Sequence, residues 1–538
     1  MILPNIPDEI ETKKKGKAVV YDCNKCGLSG KPLPIYGNQK SGLVFIGEFP
    51  GADEIAQEIP FISKSGQYLR STIRRIGKIS LEKDAAVINA VGCRPSGNKM
   101  SDTYLRCCRS KLIENLKQLK PKLIIALGDS AINSIMDLLG SKGSIGKMRN
   151  RIIPCYEFDC IVYATYHPAA ILRQEQLAYA FERDMKRILD LWHSKFHSRA
   201  NVKLVLKDRD ILKDSSIKQI KKESQLLELV DIIYNHGKFA YDYETTNLKP
   251  FDDYFKIASL AFGIGNQSWV IYLPEYEGKL SRLKEIVVDN LLNNPKILKI
   301  IQNAKYEELC TRYWIGNRTK IERSESGQVI QNTFDTMLAT HVVDERRGCT
   351  SLDFQNLVRF GVKPYSNKVK QFLTMDKDEK QNKVFECNPQ DLIEYTGKDV
   401  LTTYANYEVL DKKLLNEGKF RWCYEFLLQG HEAFANMTEF GIPVNENTLW
   451  ELDELFNKKQ GEIRNQIFDL PEVKDYLNPL QAKPKTLESY KPKRFNLMGI
   501  TVEGPYKKVK RIHLKDEEKN QIQNVKKELK RTITLRKE

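Results

Sequence analysis

The stretch Phe239 to Thr246, FAYDYETT, limits what this chain can fold into more than any other segment does. Apolar residues dominate it, and two carboxylates, Asp242 and Glu244, stand two residues apart within it. Because successive side chains of a strand point to opposite faces, both acids would project from one face. Oxygen ligands at that spacing suit Mg²⁺ or Mn²⁺. The alternative is an edge strand that carries two solvated acids.

Length and charge narrow the class of protein. A chain of 538 residues is long enough for about three domains. Lys and Arg outnumber Asp and Glu by 86 to 70, an excess that favours nucleic acid as a partner. The N-terminus lacks the apolar segment of a signal peptide, and no run of about 18 apolar residues could span a membrane. We therefore expect a cytoplasmic protein (in the host cytoplasm if it is viral) without a membrane partner.

Cysteine spacing near the N-terminus indicates a metal centre. Cys23 and Cys26 form a C-x₂-C pair in a Gly-rich loop, and Cys93 and the doublet Cys107–Cys108 follow. Four thiolates drawn from such a pair and two distant positions suit zinc or an iron–sulfur cluster. From the residues alone zinc is favoured, and a pair of buried thiols without a metal is the alternative.

Four apolar strands alternate with helical segments in the same region. Each is followed by a turn or by a polar residue that could serve a ligand site: GEFPG, Asn89, Gly128 and His167-Pro168. Parallel α/β sheets place their ligand sites at the ends of strands. The predicted strands are Leu43 to Ile46, AAVINAV, KLIIALG and IVYATYHP.

Five motifs in this region resemble one family. GEFPG, PFISKSGQYL, NAVGCRPSGN, LGDSA and TYHPAAILR, in this order, are similar to the family 4 uracil-DNA glycosylases. The resemblance implies a three-layer α/β domain over residues 20–195. It also implies a [4Fe–4S] cluster, whose ligands would be Cys23, Cys26, Cys93 and Cys108.

The same resemblance implies roles for five residues in excising a flipped base. Phe61 would stack on uracil, and Asn89 would recognise the pyrimidine edge. Glu48 would position or activate the attacking water, with Glu54 as a supporting acid. His167 would donate to the negative charge that develops on uracil O2.

The loop HPAAILR would enter the duplex, where Leu172 and Arg173 replace the flipped base. Three positions depart from the family pattern. Phe49 replaces a small residue, and Ser63 and Asn150 stand where the family has Gly. A bulky Phe49 near the pocket could change base selectivity. The alternative to uracil excision is therefore a non-catalytic module that senses uracil or docks DNA.

Residues 196–224 are basic and weakly periodic, which predicts a linker. Within it we expect a short strand at Val202 to Leu206, followed by a helix from Gln225 to Tyr234. Beyond FAYDYETT, two strand-like runs meet at Gly263 to Asn266, and this pattern predicts a hairpin that extends the sheet.

Later motifs complete the acidic set. Asn303 and Glu307 are four residues apart, as are Tyr395 and Asp399, so each pair lies on one helix face. Asp335 heads a further predicted helix. The set resembles the DEDD-type 3′–5′ exonuclease domain of family A DNA polymerases over residues 225–415.

That second resemblance implies an RNase H-like α/β fold and two divalent ions, Mg²⁺ or Mn²⁺. Asp242, Glu244, Glu307 and Asp399 would hold the ions, and Tyr395 would orient the attacking water. Glu307 stands where the family has Asp. Its longer side chain either holds the ion with altered geometry or leaves a weakened site.

Residues 416–497 predict a helix, a turn at Gly441 to Pro443 and a second helix capped near Asn445. They resemble the start of a family A polymerase domain, and residues 498–538 predict a basic, helical or disordered tail. We find no palm or fingers motifs. The expectation is the N-terminal portion of a phage-type polymerase, completed by a separate chain. A stand-alone bifunctional repair enzyme is the alternative.

Overall fold

The computed structural model has two compact units, Met1–Phe440 and Gly441–Glu538. The larger unit contains two six-stranded sheets with helices packed on them. The predicted α/β fold class is confirmed for both halves of this unit. The structure describes residues 23–471 except 29, 317–322, 325–326, 376–378, 416–417, 419 and 442–444, and also 493–497 and 500–504.

The first sheet forms around the strands that the apolar runs predicted. It consists of β1 (Tyr36–Gly37), β2 (Leu43–Gly47), β3 (Ala86–Asn89), β4 (Leu123–Leu127), β5 (Ile153–Cys155) and β6 (Cys160–Thr165). The order is β1-β3-β2-β4-β6-β5, in which the four inner strands are parallel and both edge strands are antiparallel. The carboxyl ends of the four parallel strands therefore meet at one edge of the sheet.

Helices cover both faces of this sheet. Val44 and Ile46 of β2 pack into one apolar core, whereas Leu43 and Phe45 pack into another. Alternate side chains of the strand thus pack into two apolar cores, one on each face of the sheet, as in a three-layer domain. The helices are α1 (Ala52–Gln57), α2 (Lys64–Gly77), α3 (Leu81–Asp84), α4 (Asp102–Cys107), α5 (Arg109–Leu119), α6 (Gly128–Leu138), α7 (Ile145–Met148), α8 (Pro168–Arg173), α9 (Ala178–Leu191) and α10 (Arg199–Lys207).

The strand predicted at Val202 to Leu206 is wrong, because these residues lie in α10. Val202, Val205 and Leu206 recur at helical spacing and are buried in the core of the first sheet. Burial of this apolar face outweighs the β-preference of two valines. The segment predicted as a linker therefore contributes a packed helix.

The second sheet contains the acidic strand. Its strands are β7 (Ser216–Gln219), β8 (Lys238–Thr245), β9 (Ile257–Ile264), β10 (Gln267–Tyr272), β11 (Leu298–Ile301) and β12 (Thr333–Asp335). The order is β12-β11-β8-β9-β10-β7. β8 pairs with β11 on one side and with β9 on the other. The interpretation of FAYDYETT as an edge strand is therefore wrong, and the predicted β9–β10 hairpin is confirmed.

One long helix, α17 (Pro389–Val409), packs closely across this sheet. A Cβ at Gly263 of β9 would lie 2.9 Å from the Val400 carbonyl oxygen, and one at Gly397 would lie 2.6 Å from Ile217. Glycine at these two positions lets the helix approach the strands. The helices of this part are α11 (Glu223–His236), α12 (Leu280–Lys284), α13 (Ala304–Ile315), α14 (Thr336–Val343), α15 (Leu352–Phe360), α16 (Lys370–Leu373), α17 (Pro389–Val409) and α18 (Arg421–Phe440).

The two halves of the larger unit share an apolar core. Phe354, Leu357 and Val358 of α15 are buried in the same cluster as Ile153 and Cys155 of β5. Helix α15 thus covers the β5 edge of the first sheet. An edge strand covered in this way cannot pair with another chain.

The smaller unit begins with α19 (Glu446–Asp469), where the Asn445 side chain accepts a hydrogen bond from the Thr448 amide. The predicted cap is confirmed. A hairpin of β13 (Lys493–Leu497) and β14 (Ile500–Gly504) follows, which no sequence pattern had indicated. The predicted turn at 442–443 and the tail beyond 504 lie outside the described residues. None of the described helices is both long and apolar enough to cross a membrane.

Candidate active sites

The first candidate site lies at the carboxyl ends of the parallel strands. A Cβ at Gly47, which ends β2, would lie 2.4 Å from Asn89 Oδ1 and 2.9 Å from Phe61 Cζ. One at Gly128, just after β4, would lie 2.9 Å from the Cβ of His167. Small residues at two strand ends therefore leave room for the side chains of Asn89, Phe61 and His167. The structure brings these three predicted site residues together.

Phe61 is buried and held by its backbone. Its φ of 56° lies in the left-handed region, which costs energy for a bulky residue. Arg70 Nε donates to the Phe61 carbonyl oxygen at 2.8 Å, and Arg70 also donates to the Pro60 carbonyl oxygen at 2.8 Å. A Cβ at Gly66 would collide with the Phe61 backbone. Helix α2 thus fixes the Phe61 backbone and, through it, the position of the aromatic ring.

His167 caps α8 and faces the same pocket. Its Nδ1 accepts a hydrogen bond from the Ala169 amide at 3.1 Å. Burial, with a smaller contribution from Arg173, lowers its pKa to about 4. At neutral pH the imidazole is therefore uncharged, with its proton on Nε2. The ring centroid lies 6.1 Å from that of Phe61.

Glu48 and Glu54 lie in the turn and helix that follow β2. Ser130 Oγ donates to Glu48 Oε1 at 2.7 Å, which leaves Oε2 available to water or substrate. The Glu54 carboxylate is buried and accepts a hydrogen bond from the Gly51 amide at 3.2 Å. Glu54 therefore stabilises the turn that carries Glu48. Phe49, which departs from the family pattern, is half-buried.

The predicted DNA-inserting residues are on the surface. Leu172 is 54% exposed at the end of α8, and Arg173 is exposed beside it. Asn150 adopts a φ of 63°, a conformation that Gly and Asn tolerate best. Ser63 occupies the N-cap position of α2 with ordinary backbone angles. These two departures from glycine are therefore compatible with the fold.

Four cysteines form one cluster. Burial raises the pKa of Cys93, and the nearby thiols of Cys26 and Cys23 raise it further. Burial also raises the pKa of Cys108 to about 11, with smaller contributions from the other three thiols. Among the described residues, no three of these sulfurs lie within 4.8 Å of one another. Four thiols gathered in this way can hold zinc or an iron–sulfur cluster.

The second candidate site is a cluster of carboxylates on the central strand and the long helix. Ligand oxygens of Asp242, Glu244 and Asp399 lie within 4.8 Å of one another. Burial raises the pKa of Asp242, and the Asp399 charge raises it further. Burial likewise raises the pKa of Glu244, as do the Asp242 and Asp399 charges. Acids that are buried and repel one another fit a divalent cation.

Two tyrosines contact the third acid. Burial raises the pKa of Asp399 to about 7, although hydrogen bonds from Tyr365 and Tyr395 act in the opposite direction. Tyr365 donates to Asp399 Oδ1 at 2.5 Å, and the two tyrosine rings lie 5.8 Å apart. Tyr395 was expected here, whereas Tyr365 was missed because it lies in a loop outside any motif.

Glu307 lies close to these acids but outside the set of three. It is buried, and its Oε2 has no hydrogen-bond partner among the described residues. Burial raises its pKa, and the charges of Asp242 and Glu244 raise it further. An orphaned carboxylate oxygen beside three other acids also fits a cation.

Asp335 anchors the segment that carries Glu307. Its carboxylate caps α14 by accepting from the Met337 and Leu338 amides. It also accepts from the Asn303 amide at 3.2 Å and from the Ala304 amide at 2.8 Å, at the start of α13. Sequence predicted the first cap but not the second. One buried acid thus joins two helix N-termini.

An exposed leucine projects from the loop after β8. Leu248 is 81% exposed, although the loop backbone beside it is well anchored. The Asn247 carbonyl oxygen accepts from Thr245 Oγ1 at 3.0 Å and from the Tyr306 hydroxyl at 2.9 Å. An exposed apolar side chain four residues after Glu244 is a candidate contact for a nucleotide base. No sequence motif had indicated Leu248.

Comparison with known proteins identifies the two domains that carry these sites. The family model described as the uracil DNA glycosylase superfamily matches residues 34–192, and the model described as 3′–5′ exonuclease matches residues 217–415. A type-4 uracil-DNA glycosylase of Pyrobaculum aerophilum is 32% identical over 177 residues, which cover 31% of this chain and 88% of that enzyme.

Two further matches are a phage polymerase and a solved nuclease structure. A DNA polymerase of Escherichia phage T5 is 22% identical over 340 residues, which cover 60% of this chain and 37% of that polymerase. The solved structure of Brucella melitensis NrnC overlaps 43% of this chain and 98% of its own, with 18% identity and a TM-score of 0.29. The chain belongs to the type-4 uracil-DNA glycosylases through residues 34–192, and residues 217–415 form a 3′–5′ exonuclease domain of the family A polymerase type.

Proposed function

We propose that this chain hydrolyses DNA at two sites: it excises uracil with its first domain and removes 3′-terminal nucleotides with its second. The observation that carries the proposal is the set of three carboxylates on β8 and α17, with ligand oxygens within 4.8 Å of one another. Such a set is destabilising unless cations neutralise it. Its presence beside two hydrogen-bonded tyrosines therefore supports a metal-dependent nuclease.

In the exonuclease site, Asp242, Glu244 and Asp399 would hold divalent ions, and Glu307 would complete the set from α13. When bound, two such ions stabilise the charge of in-line phosphodiester hydrolysis. Tyr395 would orient the attacking water, because its hydroxyl is held at the Asp399 carboxylate. Leu248 would contact the base of the terminal nucleotide.

In the glycosylase site, uracil would stack on Phe61 and present its edge to Asn89. Cleavage of the C1′–N1 bond leaves the electron pair on uracil, and the Nε2 proton of neutral His167 would stabilise the charge on O2. Glu48 would hold the water whose oxygen bonds to C1′ and would accept the proton that this water releases. Leu172 and Arg173 would occupy the space vacated by the flipped base.

The four-cysteine cluster supports a [4Fe–4S] group held by Cys23, Cys26, Cys93 and Cys108. Burial raises the pKa values of the Cys93 and Cys108 thiols, which therefore need a strongly positive partner before they ionise. The resemblance to the family 4 glycosylases implies the iron–sulfur group rather than zinc. When bound, such a cluster would stabilise the loop at residues 23–30 against the body of the domain.

The similarity to a phage DNA polymerase supports a proofreading role. We place this role in the cytoplasm, beside a polymerase domain on a separate chain. A second candidate function is repair without a polymerase. The convergence of Phe61, Asn89 and His167 favours it, because proofreading alone does not require a base-excision site. A purely uracil-sensing module would leave both hydrolytic reactions absent.

Two assays with the full chain test the proposal. A 5′-labelled single strand with Mg²⁺ should shorten progressively from its 3′ end, and a 3′-terminal phosphorothioate linkage should block the ladder. A uracil-containing strand without Mg²⁺ should break at uracil after alkali, whereas the thymine-containing strand should not. Absence of both reactions would contradict the proposed function.

A further inference from the structure

We propose that Arg346, which belongs to the exonuclease part of the chain, positions the base-excision site of the glycosylase part. The inference rests on the proposed uracil excision. The segment that follows α14 contacts the segment that follows α7, and the two parts of the chain meet there.

Arg346 caps the end of α7. Its Nη1 donates to the carbonyl oxygens of Gly146 and Arg149, each at 3.2 Å. Carbonyls in the last turn of a helix lack an intrahelical donor, so a side chain from elsewhere must satisfy them. The glycosylase part of the chain thus receives this cap from the exonuclease part.

The Arg346 guanidinium is itself held rigidly. Its Nε and Nη2 donate to the two carboxylate oxygens of Asp344 at 2.7 and 2.8 Å. Arg151 of the glycosylase part forms an ion pair with the same carboxylate. Burial alone would raise the pKa of Asp344, but Arg346 and Arg151 lower it. Two parallel hydrogen bonds between a guanidinium and a carboxylate fix the orientation of the guanidinium in addition to pairing the charges.

The capped segment supports the catalytic histidine. The Arg149 Nη1 donates to both carboxylate oxygens of buried Asp184, at 2.9 and 2.8 Å. Asp184 also accepts from Thr165 Oγ1 at 2.9 Å, and the Arg149 guanidinium lies 5.1 Å from the ring centroid of Tyr166. His167 is the next residue. Arg149 therefore fixes the end of β6, from which His167 enters the pocket.

One helix connects this support to the other site. At its N-terminal end, Asp335 of α14 anchors Asn303 and Ala304 at the start of the exonuclease motif. Just past its C-terminal end stand Asp344 and Arg346. Eight helical residues span only about 12 Å. Residues that flank the two ends of α14 therefore contact segments of both candidate sites.

A simpler interpretation is that Arg346 only holds two domains together. Exposed ion pairs contribute little to stability in general, and the same interface carries a second ion pair between Lys363 and Glu157. Lys363→Ala therefore removes an interdomain contact without touching the Arg149 segment. Arg347, an exposed neighbour with the same charge, supplies a second control.

The test compares the full-length variants Arg346→Ala, Arg346→Lys, Lys363→Ala and Arg347→Ala. We expect Arg346→Ala to lower the single-turnover rate of uracil excision about tenfold or more, since small misplacements of reacting groups are costly. Affinity for uracil-containing DNA and the exonuclease rate on uracil-free DNA should stay unchanged. Arg346→Lys should lose less activity, and the two controls should match the wild type.

Hydrogen–deuterium exchange of residues 145–151 provides a readout that does not depend on activity, and it should increase in Arg346→Ala alone. An Arg346→Ala protein that folds and excises uracil at the wild-type rate would overturn the proposal. An equal loss in Lys363→Ala would also overturn it, because domain contact would then be the cause. If Arg346→Ala fails to fold, Arg346→Lys decides the question. Uracil excision at the wild-type rate by this variant, with unchanged hydrogen–deuterium exchange of residues 145–151, would overturn the proposal. If the wild type excises no uracil, the proposed function fails instead, and the exchange result alone decides the positioning.

Discussion

The two candidate sites of the larger unit are prepared in opposite ways. In the glycosylase site, the protein supplies a partner for each reacting group: Ser130 for Glu48 and the Ala169 amide for His167. In the exonuclease site, buried acids face one another, and Glu307 Oε2 has no partner among the described residues. In the function that we propose, the first site acts without added charge, whereas the second holds cations. Each prediction below tests that difference.

The largest expected effect is that of Asp242→Asn. We expect exonuclease activity to fall on the order of 10³-fold, comparable to the loss of a major electrostatic stabiliser of a transition state. Uracil excision should not change. Asp231→Asn, on the exposed face of α11, is a matched control. Rates on 5′-labelled single strands with Mg²⁺ provide the measurement.

The same variant should melt at a higher temperature than the wild type when metal is absent. The pKa of Asp242 is raised in the fold, so the folded chain binds a proton more tightly than the unfolded chain. Metal-free stability must therefore fall as pH rises above the ordinary value of about 4. Thermal melts in chelator that show a lower melting temperature for Asp242→Asn would contradict the account.

The second effect concerns His167. Because its pKa is about 4, excision should not change with His167 protonation between neutral pH and about pH 5. It should decline as pH approaches 4, where a charged ring can no longer accept from the Ala169 amide. The neutral His167 ring contributes fully to the free energy of unfolding above about pH 6.5, and this contribution is lost as pH falls towards 4. A pH–rate profile of the wild type checks this prediction.

His167→Ala should lower excision about 10²-fold or more, as expected for a group that stabilises the departing anion. His341→Ala, an exposed position on α14, is the matched control. An inflection near 6.5 in the wild-type profile that disappears in His167→Ala would show that the ring is protonated in the ordinary range. Such a result would contradict the neutral imidazole.

Glu307→Gln should have an intermediate effect. It keeps the size of the side chain but removes the charge, so exonuclease activity should fall about tenfold as metal binding weakens. The metal-free protein should gain stability, because burial and two neighbouring acids raise the pKa of Glu307. Mg²⁺ titrations followed by calorimetry would measure the affinity. Unchanged affinity would show that Glu307 is not a ligand.

The smallest effect is expected for Tyr365→Phe. The variant loses one hydrogen bond to Asp399, a contribution of about 0.5–1.5 kcal/mol, so exonuclease activity should fall between about twofold and tenfold. Tyr234→Phe is the control, because the hydroxyl that it removes donates to a backbone carbonyl that is distant in sequence. A loss as large as that of Asp242→Asn would make Tyr365 part of the chemistry rather than a support.

The sequence predicted the features that depend on local spacing. The strand ends at Asn89 and His167, the paired acids of β8 and the helical pair Tyr395 and Asp399 follow from periods of two and 3.6 residues. The fold then brings them together as expected. Helix α10 was mistaken for a strand because its two valines favour β-structure locally, and only its tertiary contacts decide otherwise.

Contacts between distant segments could not be predicted. Tyr365 reaches Asp399 from a loop, Asp335 caps a second helix, and Arg346 caps a helix of the other domain. None of these three contacts follows from a periodic pattern or a motif. Their roles depend on where α14 and α17 come to rest, which is a property of the packed fold rather than of any window of sequence.

We propose that one chain holds two separate hydrolytic sites, of which only one uses divalent cations. A single strand with an internal uracil and labels of different colour at its two ends distinguishes the two reactions. With chelator, the full chain should yield an alkali-sensitive site at uracil and leave the 3′ label in place. With Mg²⁺, the 3′ label should also be released. Release of the 3′ label in chelator, or loss of uracil excision in it, would contradict the account.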